Sequence, residues 1–68
     1  MFQENTDYFD VDLNWVKTDD PEYPYQSKKF GHHLKIRLND FPDDAMFTLL
    51  VDGNVVKDFD DWPSNWRR

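Results

Sequence analysis

The sequence predicts a small, mainly β domain: a four-stranded antiparallel meander with a long loop between strands one and two and a short C-terminal helical turn bearing tryptophans. Three observations carry this expectation. Apolar and polar residues alternate over residues 8–17, they alternate again over residues 28–38, and an Asp-Gly pair separates two β-rich runs further on.

In the first segment Phe9, Val11, Leu13 and Trp15 fall on one side of a strand, while Asp10, Asp12 and Asn14 fall on the other. Asp10-x-Asp12-x-Asn14 also imitates the start of a calcium loop. Such a loop needs glycine at its sixth position and a bidentate glutamate at its twelfth. This chain places Trp15 and Pro21 there, so the acids are read as solvated.

Residues 18–27, TDDPEYPYQS, form the long loop, with two prolines and several turn formers. Tyr23 and Tyr25 are expected to fold back over a sheet edge. The second strand covers 32–38 and extends back towards 28, with Gly31 read as a bulge. Phe30, His32, Leu34, Ile36 and Leu38 line one face of it; Lys29, His33, Lys35 and Arg37 line the other.

A turn over 39–45 leads to the hairpin 46–51/54–59 about Asp52-Gly53, a pair suited to the positive φ that both central residues of a tight hairpin require. A two-residue turn sets Leu49 opposite Val56, Thr48 opposite Lys57 and Met46 opposite Phe59. Apolar residues then lie on both faces, and the face with Met46, Leu50, Val55 and Phe59 needs a cover. The tail DDWPSNWRR is the candidate: an aspartate cap, Pro63 in the first turn, and Trp62 and Trp66 four apart on one helical face.

Residues 1–68 are read as one domain with a radius of gyration of about 11 Å. There is no cysteine, which excludes disulfides and thiolate zinc sites, and the six Phe, three Tyr and three Trp must supply the core. Met1-Phe2-Gln3-Glu4 lacks a basic region followed by an apolar run. No apolar stretch approaches bilayer length. The expectation is a cytoplasmic protein with no membrane partner.

The net charge of −6 is uneven: residues 1–26 hold seven acids and one lysine, residues 27–38 four cations and no acid, residues 39–68 seven acids and three cations. The outward acids of strand one are expected to pair with Lys35 and Arg37 of strand two across neighbouring antiparallel strands. That arrangement and the overall negative charge argue against direct nucleic-acid binding.

Neighbouring His32 and His33 point to opposite faces of a strand and cannot jointly chelate an ion. The pairs Asp19-Asp20, Asp43-Asp44 and Asp60-Asp61 sit in turns, where aspartate is favoured for its own backbone hydrogen bonds. The two glycines, Gly31 and Gly53, form no phosphate loop, and neither Ser27 nor Ser64 stands in a nucleophile motif. No catalytic, metal or cofactor-binding residue is therefore nominated, and an enzyme is not expected.

The leading functional expectation is a non-enzymatic protein-interaction module, with Tyr23, Tyr25, Trp62, Trp66, Asp60 and Asp61 as candidate partner-binding residues. A sharper alternative is an acidic inhibitor or immunity-type protein directed at a basic nuclease or nucleic-acid-binding protein. The third is a structural homo-oligomer, a homodimer in its simplest form.

Overall fold

A computed structural model describes residues 7–68, so the reading of Met1–Glu4 lies outside the described residues. The protein is mainly β, and its principal sheet has five antiparallel strands rather than four. A short 3-10 turn, Tyr8–Asp10, precedes β1 (Leu13–Asn14), β2 (Val16–Lys17), β3 (Tyr25–Lys29), β4 (His32–Leu38), β5 (Phe47–Val51), β6 (Asn54–Phe59) and β7 (Trp66–Arg67). Strands β2 to β6 lie side by side in chain order, a meander, and β1 pairs separately with β7. The Cα radius of gyration is 11.9 Å.

The first expected strand is shortened and bent. Asp7 caps the 3-10 turn, its carboxylate accepting from the Phe9 N–H at 3.0 Å, a local bond that competes with extended structure. The alternation of faces survives: Leu13 and Trp15 are buried, whereas Asp10, Asp12 and Asn14 are exposed. Around Trp15 the chain changes partner. The N–H groups of Leu13 and Trp15 donate to Asn65 and Arg67 carbonyls in a parallel pairing with β7. Val16 and Lys17 then pair antiparallel with Gln26 and Tyr25.

The additional strand is β3, and it corrects the reading of Gly31 as a bulge. Phe30 and Gly31 have φ of 55° and 78°, so they form a two-residue hairpin turn. The alternating segment 28–38 therefore folds back on itself, pairing Ser27 with Leu34 and Lys28 with His33. Asp52 and Gly53, at φ 52° and 84°, form a turn of the same kind between β5 and β6, as expected.

The expected register of that second hairpin is displaced by one residue. A bulge at Val56 leaves Leu50 opposite Val55 but sets Leu49 opposite Lys57, Thr48 opposite Asp58 and Phe47 opposite Phe59. Phe59 thereby joins Phe47 on the core face at 5.4 Å between ring centroids, and Met46 also packs against the core. The expected second apolar face is dismantled. Leu50 is buried on the outer side of the sheet, and Val55 and Val56 are exposed.

The tail forms no helical turn. Pro63 accepts from the Trp66 N–H at 3.1 Å, closing a tight turn that ends in β7. The six residues from Asp60 to Asn65 carry the chain from β6, at one edge, back beside β1. The ring contacts follow this return: Phe59 of β6 lies 5.1 Å from Phe9 and 5.5 Å from Trp66. The core lies on one face of the sheet, where Leu34, Ile36, Leu49 and Phe47 meet Tyr8, Leu13, Trp15 and Trp66. No helix among the described residues is long and apolar enough to cross a membrane.

Candidate functional site

Three of the expected partner-binding residues come together, but inside the molecule. Tyr25 and Trp62 lie 5.3 Å apart, and Trp62 meets Trp66 edge-on at 5.3 Å. Trp66 is 4% exposed, stacks on Phe9 and donates its indole N–H to the Tyr8 carbonyl at 2.9 Å. Trp62 is half-buried, donates to the Trp66 carbonyl at 3.2 Å and carries the Arg68 guanidinium over its ring. The tail's tryptophans cover the main core, not an outer apolar face of the hairpin. Tyr23 lies elsewhere, half-buried in the β2–β3 loop with the Lys35 ammonium over its ring.

Asp60 and Asp61 belong to a larger arrangement that the meander creates. Alternate connections of a meander fall at the same end of the sheet. The β2–β3 loop (Asp19, Asp20, Glu22), the β4–β5 loop (Asp40, Asp43, Asp44) and the segment after β6 (Asp60, Asp61) are all such alternate connections. Eight acids therefore share one end of the molecule, and all three Asp-Asp pairs are among them.

Hydrogen bonds tie these segments together. Glu22 accepts from the Leu38 N–H at 2.9 Å through its backbone carbonyl, joining the first loop to β4. Asp60 accepts from the Met46 N–H at 2.8 Å, joining the second loop to the tail. Within the loops, Asp20 accepts from the Glu22 N–H at 2.9 Å, and the Thr18 hydroxyl donates to the Tyr23 carbonyl at 2.6 Å. A polar chain anchors the β4–β5 loop to the sheet. Arg37 donates to Asn39, the Asn39 amide donates to Ala45 and to the Thr48 hydroxyl, and that hydroxyl donates to Asp58 at 2.6 Å. Thr48 is fully buried, so these partners replace the water its hydroxyl has lost.

This acidic end also exposes apolar surface that the sequence reading did not nominate. Phe41, beside the cis Phe41-Pro42 bond, is 57% exposed, and Leu38 is 48% exposed. A signal was available for Phe41, a large aromatic set among turn formers in NDFPDDA. None existed for Leu38, whose alternation placed it with the core face.

The expected pairing of strand-one acids with strand-two bases is overturned. β3 lies between β2 and β4, so Lys35 pairs with Gln26 and His33 with Lys28. These four side chains stand outward in a two-by-two block. A shallow groove of about 480 Å³ runs past it, lined by Asn14, Val16, Gln26, Ser27, Lys28 and His33. A second groove of about 360 Å³ shares His33 and adds Lys35, Asp52 and Gly53. The Asp52 carboxylate is already engaged, with the His33 N–H at 2.9 Å and His32 Nδ1 at 2.6 Å. Those bonds, the backbone one foremost, hold its pKa below the ordinary 3.8.

Among the described residues no group of three or more His, Asp or Glu side chains is placed to hold a metal ion. Compared with protein-family models, curated proteins and solved structures, the chain matches none.

Proposed function

We propose that the protein is a non-enzymatic interaction module that presents its acidic end to a basic protein partner. The observation that supports this is the gathering of eight carboxylates by three connections around exposed Phe41 and Leu38. Apolar anchors ringed by charge suit a protein interface: the anchors lose water on docking, while the charges steer the encounter and set its orientation. Tyr25, Trp62 and Trp66, among the residues first nominated, are not needed as contacts, because their rings pack in or against the core.

The sharper form of this reading is an acidic inhibitor or immunity-type protein that covers the phosphate-binding surface of a basic nuclease or nucleic-acid-binding protein. The density of carboxylates in three adjacent loops favours it, since such a partner already carries a surface built for closely spaced anions.

Affinity capture from the native cell extract, at low and high salt, tests the proposal with two baits. One is the wild-type chain, the other a Phe41→Ala, Asp43→Asn, Asp44→Asn variant. The expected result is a basic partner held by the wild type at low salt, released at high salt and absent from the variant. Capture of the same partner by both baits removes the acidic end from the interaction. Inhibition of a captured nuclease by stoichiometric protein separates the inhibitor form from simple docking.

A further inference from the structure

We propose a second, separate site on the outer face of the sheet: the groove lined by Lys28, His33, Gln26 and Asn14, with Lys35 in the adjoining groove that shares His33, binds a phosphoryl group. Its basis is a local gathering of cations on an acidic chain. Lys28 stands opposite His33, and Lys35, two residues further along β4, is the diagonal neighbour of Lys28 on the same face, a cross-strand relation of about 7–8 Å, on a chain whose net charge is −6.

Eight acids are gathered at the far end of the meander, and Asp52, which lines the adjoining groove, is engaged by His32 and the His33 backbone. The neighbouring strand contributes Asn14 and Val16 to the groove instead of a carboxylate. The groove's polar side chains are the Lys28 ammonium, the His33 imidazole, the Gln26 and Asn14 amides and the Ser27 hydroxyl, and the Lys35 ammonium, which lies over the Tyr23 ring, lines the adjoining groove.

A phosphoryl group suits them in number and charge. It carries about −1.5 to −2 charge and three acceptor oxygens, so several donors can bind it without an unpaired cation remaining. A volume of about 480 Å³ is that of a small-molecule site, and the shallow shape admits a phosphoryl group carried on a small molecule or on a peptide side chain. This site does not depend on whether the acidic end docks a partner.

Two-dimensional amide NMR of the full chain, titrated with inorganic phosphate at constant ionic strength set by chloride, tests the assignment. The expected result is saturable shifts centred on Gln26, Lys28, His33 and Lys35. Affinity should fall at least about tenfold in a Lys28→Gln, Lys35→Gln variant. A Gln26→Glu variant supplies the missing acid next to Lys35 and should lose phosphate binding while folding at least as well as the wild type. Parallel titrations with glycerol phosphate and with a short phosphoserine peptide distinguish a small ligand from a modified protein. Shifts that chloride alone reproduces, or that persist unchanged in the double variant, overturn the proposal.

Discussion

Trp15 and Trp66 are chemically identical, almost equally buried and 5.1 Å apart, yet their indole N–H groups differ. That of Trp66 donates to the Tyr8 carbonyl, while that of Trp15 is buried without a hydrogen-bond partner among the described residues. Replacing either by phenylalanine removes similar apolar volume. Trp→Ala changes in cores cost about 3–5 kcal/mol, and retaining a phenyl ring leaves roughly 1–2 kcal/mol of that loss. Trp66→Phe also forfeits a hydrogen bond with a net value of about 0.5–1.5 kcal/mol. Trp15→Phe removes an unsatisfied buried donor instead, which returns roughly 1–3 kcal/mol. Trp66→Phe should therefore destabilise by about 2–3 kcal/mol and Trp15→Phe by less than about 1 kcal/mol. A domain of this size has roughly 3–10 kcal/mol in total, so Trp15→Phe stays folded in water, and Trp66→Phe stays folded where the total exceeds about 3 kcal/mol. Urea unfolding followed by far-ultraviolet circular dichroism measures both without relying on tryptophan emission. With a slope near 1 kcal/mol per molar urea, the midpoints should fall by about 2–3 M for Trp66→Phe and by under about 1 M for Trp15→Phe. Equal shifts, or a larger one for Trp15→Phe, would refute the seat assigned to the tail. Deleting residues 60–68 removes both Trp62 and Trp66 and is expected to unfold the chain outright.

Thr48→Val keeps the shape of a fully buried side chain but removes the hydroxyl that joins Asn39 to Asp58. Asn39 retains Ala45 and exposed Asp58 can rehydrate, so the loss should be about 1–2 kcal/mol by urea unfolding, with Thr48→Ser recovering part of it. Asp52→Asn preserves a residue that tolerates positive φ while removing the charge engaged by His33 and His32. Because the folded pKa of Asp52 is depressed, its contribution is present above the ordinary 3.8 and is lost as pH falls below it. The stability gap between wild type and Asp52→Asn should accordingly shrink in thermal melts as pH drops through that range. Phe30→Asn replaces an exposed aromatic at φ 55° by a residue suited to that conformation. Relief of αL strain of roughly 1–2 kcal/mol should outweigh the loose 6.3 Å contact with Tyr8, raising the melting temperature.

Local chemistry was legible in the sequence wherever it needed no partner. The alternation of Leu13, Asn14 and Trp15, the Asp52-Gly53 turn and the sidedness of Leu34 and Ile36 depend only on the period of two and on positive φ, and all appear as expected. The mainly β class follows from the same signals. The β3–β4 hairpin escaped because Phe-Gly is a poor turn signature: Phe30 pays strain that an Asn or Asp would avoid, so the segment reads as one interrupted strand. The Val56 bulge escaped because an extra residue leaves no mark on composition, yet it moves Phe59 to the core.

Those two features decided the surface as well. Inserting β3 separates the acids of the first segment from Lys35, leaving Lys28, His33 and Lys35 facing outward together, and it fixes which turns share an end. The acidic pairs were visible as separate turns, each explicable by itself, but their convergence around Phe41 was not. Which connections of a meander meet depends on how many strands lie between them, and strand count is settled by long-range pairing and ring packing. The tail obeys the same physics: nothing local makes Trp66 a strand residue, and long-range partners hold it there, the β1 backbone, the Tyr8 carbonyl and the rings of Phe9, Trp15 and Phe59.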